Sequence, residues 1–130
     1  MRYMLLIYLQ EGALDQAERE ACYRESIELA HELRAAGQYL DAAPLQSVST
    51  AASVRVRDGR RLLTDGPFAE TREQLGGFFM IEAASLDEAI AVAERIPMAK
   101  RGTVEVRPVI EIPGLPASEA PEALAQPVRD

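Results

Sequence analysis

Apolar and polar positions alternate, then change period, several times along this 130-residue chain. Residues 2–9, Arg-Tyr-Met-Leu-Leu-Ile-Tyr-Leu, read as a strand. Tyr3, Leu5, Ile7 and Leu9 fall on one face, and Met4, Leu6 and Tyr8 on the other. Both faces are apolar, so both need a cover. From about Gln16 to Ala36 the period becomes helical, with Cys22, Ser26, Leu29, Ala30, Leu33 and Ala36 on one stripe. Asp15 is placed to cap the start of this helix and Gly37 to stop it. Tyr39–Leu45 is extended. Ser53–Arg57 and Arg61–Thr64 flank Asp58-Gly59, a pair whose glycine tolerates the positive φ of a tight hairpin turn.

Asp65–Leu75 begins with turn chemistry and continues with helix formers. Gly76-Gly77 reads as a break before Phe78-Phe79-Met80-Ile81, a second strand apolar on both faces. Ser85 and Glu88 form a capping-box pattern before a helix that turns Leu86, Ala89, Ile90, Ala93 and Ile96 inward and ends at Pro97. Val104, Val106 and Ile110 alternate with charged residues in a last strand. Residues 113–130 carry Pro113, Pro116, Pro121 and Pro127 among Ala and Glu and read as a tail, which leaves residues 1–112 as the domain.

The order β, α, β, hairpin, β, α, β fits an α+β, ferredoxin-like βαββαβ unit with an extra hairpin. Two helices cover only one face of its sheet. The economical cover for the other is the sheet of a second copy, packed face to face across a two-fold axis, so the pattern predicts a homodimer.

Composition narrows the function classes. Hydrophobic residues make up 48% and charged residues 27%, ordinary for a folded domain. The formal charge of −7 disfavours binding to nucleic acid or to anionic membrane, which rely on clustered Lys and Arg. Arg55, Arg57, Arg60 and Arg61, the densest basic group, read as a solvated hairpin face. No run is long enough to span a bilayer, and no secretory leader is visible. A single cysteine, Cys22, makes no internal disulfide. Together these point to the cytoplasm. There is no Walker-type loop, no GxGxxG fingerprint, no G-x-S-x-G elbow and no Cys/His cluster, so neither a cofactor nor a metal is expected.

The run Asp65-Gly-Pro-Phe-Ala-Glu-Thr-Arg-Glu-Gln-Leu-Gly-Gly-Phe78 resembles the signature of the DGPF-domain proteins, a branch of the YCII-related family. The resemblance extends through Ser85–Ala89 and Val104–Pro108 and upstream to Leu33–Gly37, nearly everything before the tail. It implies a dimeric α/β-barrel arrangement of ferredoxin-like units and brings no established reaction. Genes of this kind commonly lie beside alternative sigma factors, which implies a regulatory or adaptor role as the alternative to small-molecule chemistry. Other YCII-related proteins have been proposed to use a His–Asp pair. Here the only histidine, His31, lies in the first helix, away from that position, and Asp65 alone has a claim from the motif.

Asp65 is the candidate acid/base in a cleft beside the Asp65-Gly66-Pro67-Phe68 loop. The same three residue types also simply build a turn, and both roles are compatible. Phe68, Glu70, Arg72 and Tyr8 are candidate ligand-binding residues, with core packing or a solvated surface as the plain alternative for each. Cys22 reads as a small core residue. The sequence names no substrate.

Overall fold

The computed structural model describes residues 1–116. Of the proposed 113–130 tail, residues 117–130 lie outside the described residues.

Among the described residues, six strands and two α-helices follow in the order β1 (Arg2–Leu9), α1 (Gln16–Ala35), β2 (Tyr39–Pro44), β3 (Ala52–Arg57), β4 (Arg60–Asp65), β5 (Gln74–Glu82), α2 (Leu86–Glu94) and β6 (Thr103–Pro108). Short 3₁₀ turns sit at Val48–Thr50 and Pro97–Lys100. β2, β5, β1 and β6 form, in that order, a four-stranded antiparallel sheet, and β3 and β4 form a separate hairpin. This is the α+β, ferredoxin-like arrangement that the order of elements predicts.

Alternation along β1 and β5 sorts the two faces. Tyr3 and Leu5 of β1 and Phe79 and Ile81 of β5 are buried against Leu29 and Leu33 of α1 and Ala89, Val92 and Ala93 of α2. Ile96 and Met98 close the same core. The opposite face sets Met4 beside Met80 and Leu6 beside Phe78, with Tyr8 further along, and these side chains are only half-buried. Both strands are thus apolar on both faces, while the helices occupy one.

α1 begins where Asp15 accepts from the Glu18 N–H (2.8 Å) and Glu18 accepts from the Asp15 N–H (2.9 Å), a reciprocal cap. It ends before Gly37, at φ +77°. On α2 the Glu88 N–H donates to Ser85 Oγ (3.2 Å), while the Glu88 carboxylate reaches back to the N–H of Ala84.

Three local expectations change. Leu86 and Ile90 are exposed at 47% and 40%, and Val92 takes the inward place, because 89, 92, 93 and 96 share the buried face. β6 ends at Pro108, and Ile110 is exposed. The segment after Asp65 is an irregular loop rather than a helix, and Gly76-Gly77 lies within β5. Ile7 pairs with Gly77 and Tyr8 with Leu75, so Gly76 is the extra residue of a bulge. Among the described residues, no helix is long and apolar enough to cross a membrane.

A candidate cleft beside the motif loop

Three chain segments meet at one end of the sheet. β1 runs out into Glu11, β2 runs out into Ser47-Val48-Ser49, and the loop between β4 and β5 crosses beside them. Their meeting leaves an open cleft of about 260 Å³, walled by Glu11, Ser47, Ser49, Pro67, Glu70 and Gln74 among others.

Glu11 holds two of the segments together. Its carboxylate accepts from the Ser47 hydroxyl (2.8 Å) and from the Val48 N–H (2.9 Å), while its own N–H donates to Gln74 Oε1 (3.1 Å). Gln74 in turn donates to the Thr71 carbonyl (2.6 Å), tying the motif loop to the same cluster. Ser47 has a second task. It caps the 3₁₀ turn, accepting from the N–H and the hydroxyl of Ser49 (3.1 Å each).

The other wall is fixed by the hairpin. The Gly66 N–H donates to the Ala51 carbonyl (2.7 Å), and the Ser53 hydroxyl donates to the Gly66 carbonyl (2.8 Å). Gly66 sits at φ +98°, a conformation that side-chain-bearing residues rarely adopt, so the sharp exit from β4 at Asp65 depends on glycine there. The hydroxyls, amide and carboxylates around the cleft form a hydrogen-bonding surface suited to a small polar molecule.

The motif residues are spread around this feature. Glu70 lines the cleft, as do Gly66 and Pro67. Asp65 is the last residue of β4, exposed, and one position from the lining; among the described residues its carboxylate accepts no hydrogen bond. Phe68 is 80% exposed, and neither it nor Arg72 is part of the lining. Tyr8 belongs to the uncovered face of the sheet. Its hydroxyl donates to Glu105 (3.1 Å), and burial first, then this carboxylate, raises its pKa above the usual tyrosine value. His31 is exposed on α1. Cys22 packs at the edge of the core with its sulfur 3.8 Å from that of Met98, and burial, followed by the charge of Glu25, raises its thiol pKa. Among the described residues, no group of three or more His, Cys, Asp and Glu is placed to hold a metal ion.

Glu11, Ser47 and Ser49 are wall residues that sequence reasoning did not single out, and Gln74 lies in the Asp65–Phe78 run without a role assigned to it. They come from segments up to 63 residues apart and carry no shared motif. Only chain closure brings them together.

The family model of the YCII-related domain matches residues 1–113. An uncharacterized protein of Rhizobium meliloti (strain 1021) is 38% identical over 114 residues, covering 84% of this chain and 92% of that protein. Among solved structures, the fold resembles that of the 5-chloro-2-hydroxyhydroquinone dehydrochlorinase TftG from Burkholderia phenoliruptrix AC1100, in complex with 2,5-dihydroxybenzoquinone. The TM-score is 0.54 at 18% identity, covering 85% of this chain and 94% of that one. At that identity the likeness speaks for the fold alone. With a family model spanning nearly all the described residues, the chain belongs to the YCII-related family.

Proposed function

We propose that the protein binds or acts on a small polar molecule in the cleft beside the Asp65-Gly66-Pro67-Phe68 loop. The observation that carries this reading is the junction of the motif loop with the Glu11–Ser47 clasp around one open cleft. Asp65, unpaired among the described residues and adjacent to the lining, is the candidate group for moving a proton. Glu70 is the candidate anchor, with Arg72, Phe68 and Tyr8 as the remaining candidate contacts, outside the lining. The lining supports phenolic ligands: the Glu70 carboxylate accepts hydrogen bonds and the Ser and Thr hydroxyls both give and accept them. A polyhydroxylated aromatic is therefore the first class to try, and the structural neighbour's chlorinated hydroxyhydroquinone is of that class.

The working unit in this reading is a cytoplasmic homodimer, with the half-buried apolar face of one sheet against that of a second copy. Native mass spectrometry under argon with 1,2,4-trihydroxybenzene as the probe tests the cleft. Adduct formation in the wild type that is lost in Glu70→Ala and weakened in Asp65→Ala supports it. No adduct, or one indifferent to both substitutions, removes this ligand class from the cleft.

A second reading, a regulatory adaptor for an alternative sigma factor, is favoured by the exposed Glu20, Glu25, Glu28 and Glu32 along α1, which suit a basic partner surface. Failure to co-purify with an alternative sigma factor of the same organism at low salt would eliminate it.

A further inference from the structure

The side chains around the cleft have already committed most of the protons they could offer a ligand. The Ser47 hydroxyl donates to Glu11 (2.8 Å), so in its contact with the Ser49 hydroxyl (3.1 Å) it is Ser49 that donates. The Thr71 hydroxyl donates to the Glu73 carbonyl (2.7 Å), and the Gln74 amide gives one N–H to the Thr71 carbonyl (2.6 Å). A hydroxyl has one proton to give and a primary amide has two. The second N–H of Gln74 is therefore the one side-chain donor of the lining left uncommitted among the described residues. Acceptors are plentiful by comparison. The Glu70 carboxylate accepts no hydrogen bond among the described residues, and the Ser49 and Thr71 oxygens keep lone pairs open.

Charge points the same way. Glu11 and Glu70 are the charged residues of the lining, which among the described residues holds no Lys, Arg or His. Arg72, the one cation of the Asp65–Phe78 run, lies outside it. The backbone N–H groups of the loop can still donate, yet none carries a charge that would balance the two carboxylates. A ligand anion would bring further acceptors and set its charge against Glu11 and Glu70, with no cation in the lining to receive it. A ligand ammonium brings three donors and an attractive charge to the same place. Val48, Pro67 and Ala69 supply the apolar part of the wall, against which a ring can lie.

We infer that the cleft selects its ligand by charge, taking a hydroxylated ring that carries a protonated amine and turning away the carboxylate-bearing counterpart. Glu70, uncommitted within the chain, receives the ammonium. Glu11 contributes through its charge, since Ser47 and Val48 already hold its two oxygens. The ring hydroxyls donate to the open Ser49 and Thr71 oxygens. This rests on the reading of the cleft as a ligand site and narrows it, from hydroxylated aromatics in general to their cationic members.

Amide chemical shifts of the full, nitrogen-15-labelled chain, followed by NMR near neutral pH under argon, test the selection. The three probes share a catechol ring and differ in one substituent: 3,4-dihydroxybenzylamine is cationic, 4-methylcatechol neutral and 3,4-dihydroxybenzoate anionic. The expected result is shifts confined to residues 11, 47–49 and 66–74, with the amine bound about tenfold more tightly than the benzoate and methylcatechol between them. Glu70→Gln should cut the advantage of the amine over methylcatechol by about three- to fivefold, Glu11→Gln by less, and added salt should narrow it in the wild type. Glu94→Gln, at the end of α2 and outside the lining, removes the same charge from the chain and should leave that advantage intact. Equal affinities for amine and methylcatechol, or an advantage that Glu70→Gln does not reduce or that Glu94→Gln reduces as much, overturn the charge selection. The cleft then stands as a ligand site if the shifts still fall there. Binding of none of the three probes, or shifts only elsewhere, overturns both. If Glu11→Gln loosens the fold, Glu70→Gln, on an exposed loop residue, decides the question alone.

Discussion

Glu11 shows how much one side chain does at the cleft. It is exposed, yet it satisfies a hydroxyl and a backbone N–H of the loop after β2 and, through its own N–H, reaches the first residue of β5. Glu11→Ala removes the carboxylate and leaves the Ser47 and Val48 donors to water. Because the site is open, the expected cost is only about 1 kcal/mol in urea denaturation, with a larger effect on ligand capture than on stability. Glu11→Gln, which keeps one acceptor, should lie between. Tyr8 gives the second prediction at this scale. Burial, then the hydrogen bond and charge of Glu105, favour its neutral form and raise its pKa. The unfolded chain ionises near the ordinary value of 10.0 while the folded one still holds its proton. The unfolded state then binds fewer protons, so stability is fully present below pH 10 and falls as pH rises from there through the folded pKa. Tyr39, raised first by burial and then by Asp41, adds to the same alkaline loss. In denaturation series between pH 8 and 11, Tyr8→Phe should flatten part of this fall; an unchanged slope would show that Tyr8 does not contribute to it. Neither effect is legible in the sequence, since Tyr8 and Glu105 are 97 positions apart and meet only through the β1–β6 pairing.

Among the elements, β5 carries the sharpest test. Its two glycines look alike in the sequence and differ in the fold. A Cβ on Gly77 would lie 2.8 Å from the Ala43 carbonyl oxygen and 3.1 Å from Pro44 Cα, both backbone atoms of the neighbouring strand. A Cβ on Gly76 would run into the Leu9 side-chain tip, which can rotate away. Gly77→Ala should therefore cost about 1–3 kcal/mol, as overpacking does, and Gly76→Ala distinctly less, compared by their urea midpoints. Equal costs would mean that the β2–β5 approach is looser than this geometry. The pair also shows where sequence reasoning stops. Period and capping chemistry revealed β1, α1, the Asp58-Gly59 hairpin and the Ser85 cap, because each is a local signal: an alternation, a stripe, or a donor within four residues. Gly76-Gly77 reads as a break because glycine usually breaks structure. Here the demand for glycine comes from across the sheet, from Ala43 and Leu9, which no local window contains. Leu86 and Ile90 err for a related reason. They are apolar at helical spacing, and only the packing angle of α2 decides that Val92 faces the core in their place.

For the whole molecule, the two-sided apolar character of β1 and β5 is the feature that sequence and structure share, and it argues beyond one copy of the chain. The helices bury one face, and the other leaves Met4, Leu6, Phe78 and Met80 half in water at the centre of the sheet. Met80 offers the cleanest test of the proposed sheet-to-sheet homodimer. Its register partner on β2 is Asp41, which is exposed, so Met80→Lys places an ammonium beside a carboxylate on an open surface. A single copy tolerates that change, because the long side chain keeps its charge in water. A face-to-face dimer does not, since the two-fold axis brings a second lysine to the same apolar interface and both charges lose solvent together. The expected outcome is a monomer by light scattering at concentrations where the wild type is a dimer, with the far-ultraviolet spectrum unchanged. A variant that stays dimeric would place the interface elsewhere on the molecule. The apolar face of the sheet would then have to be read as a binding surface for something other than a second copy.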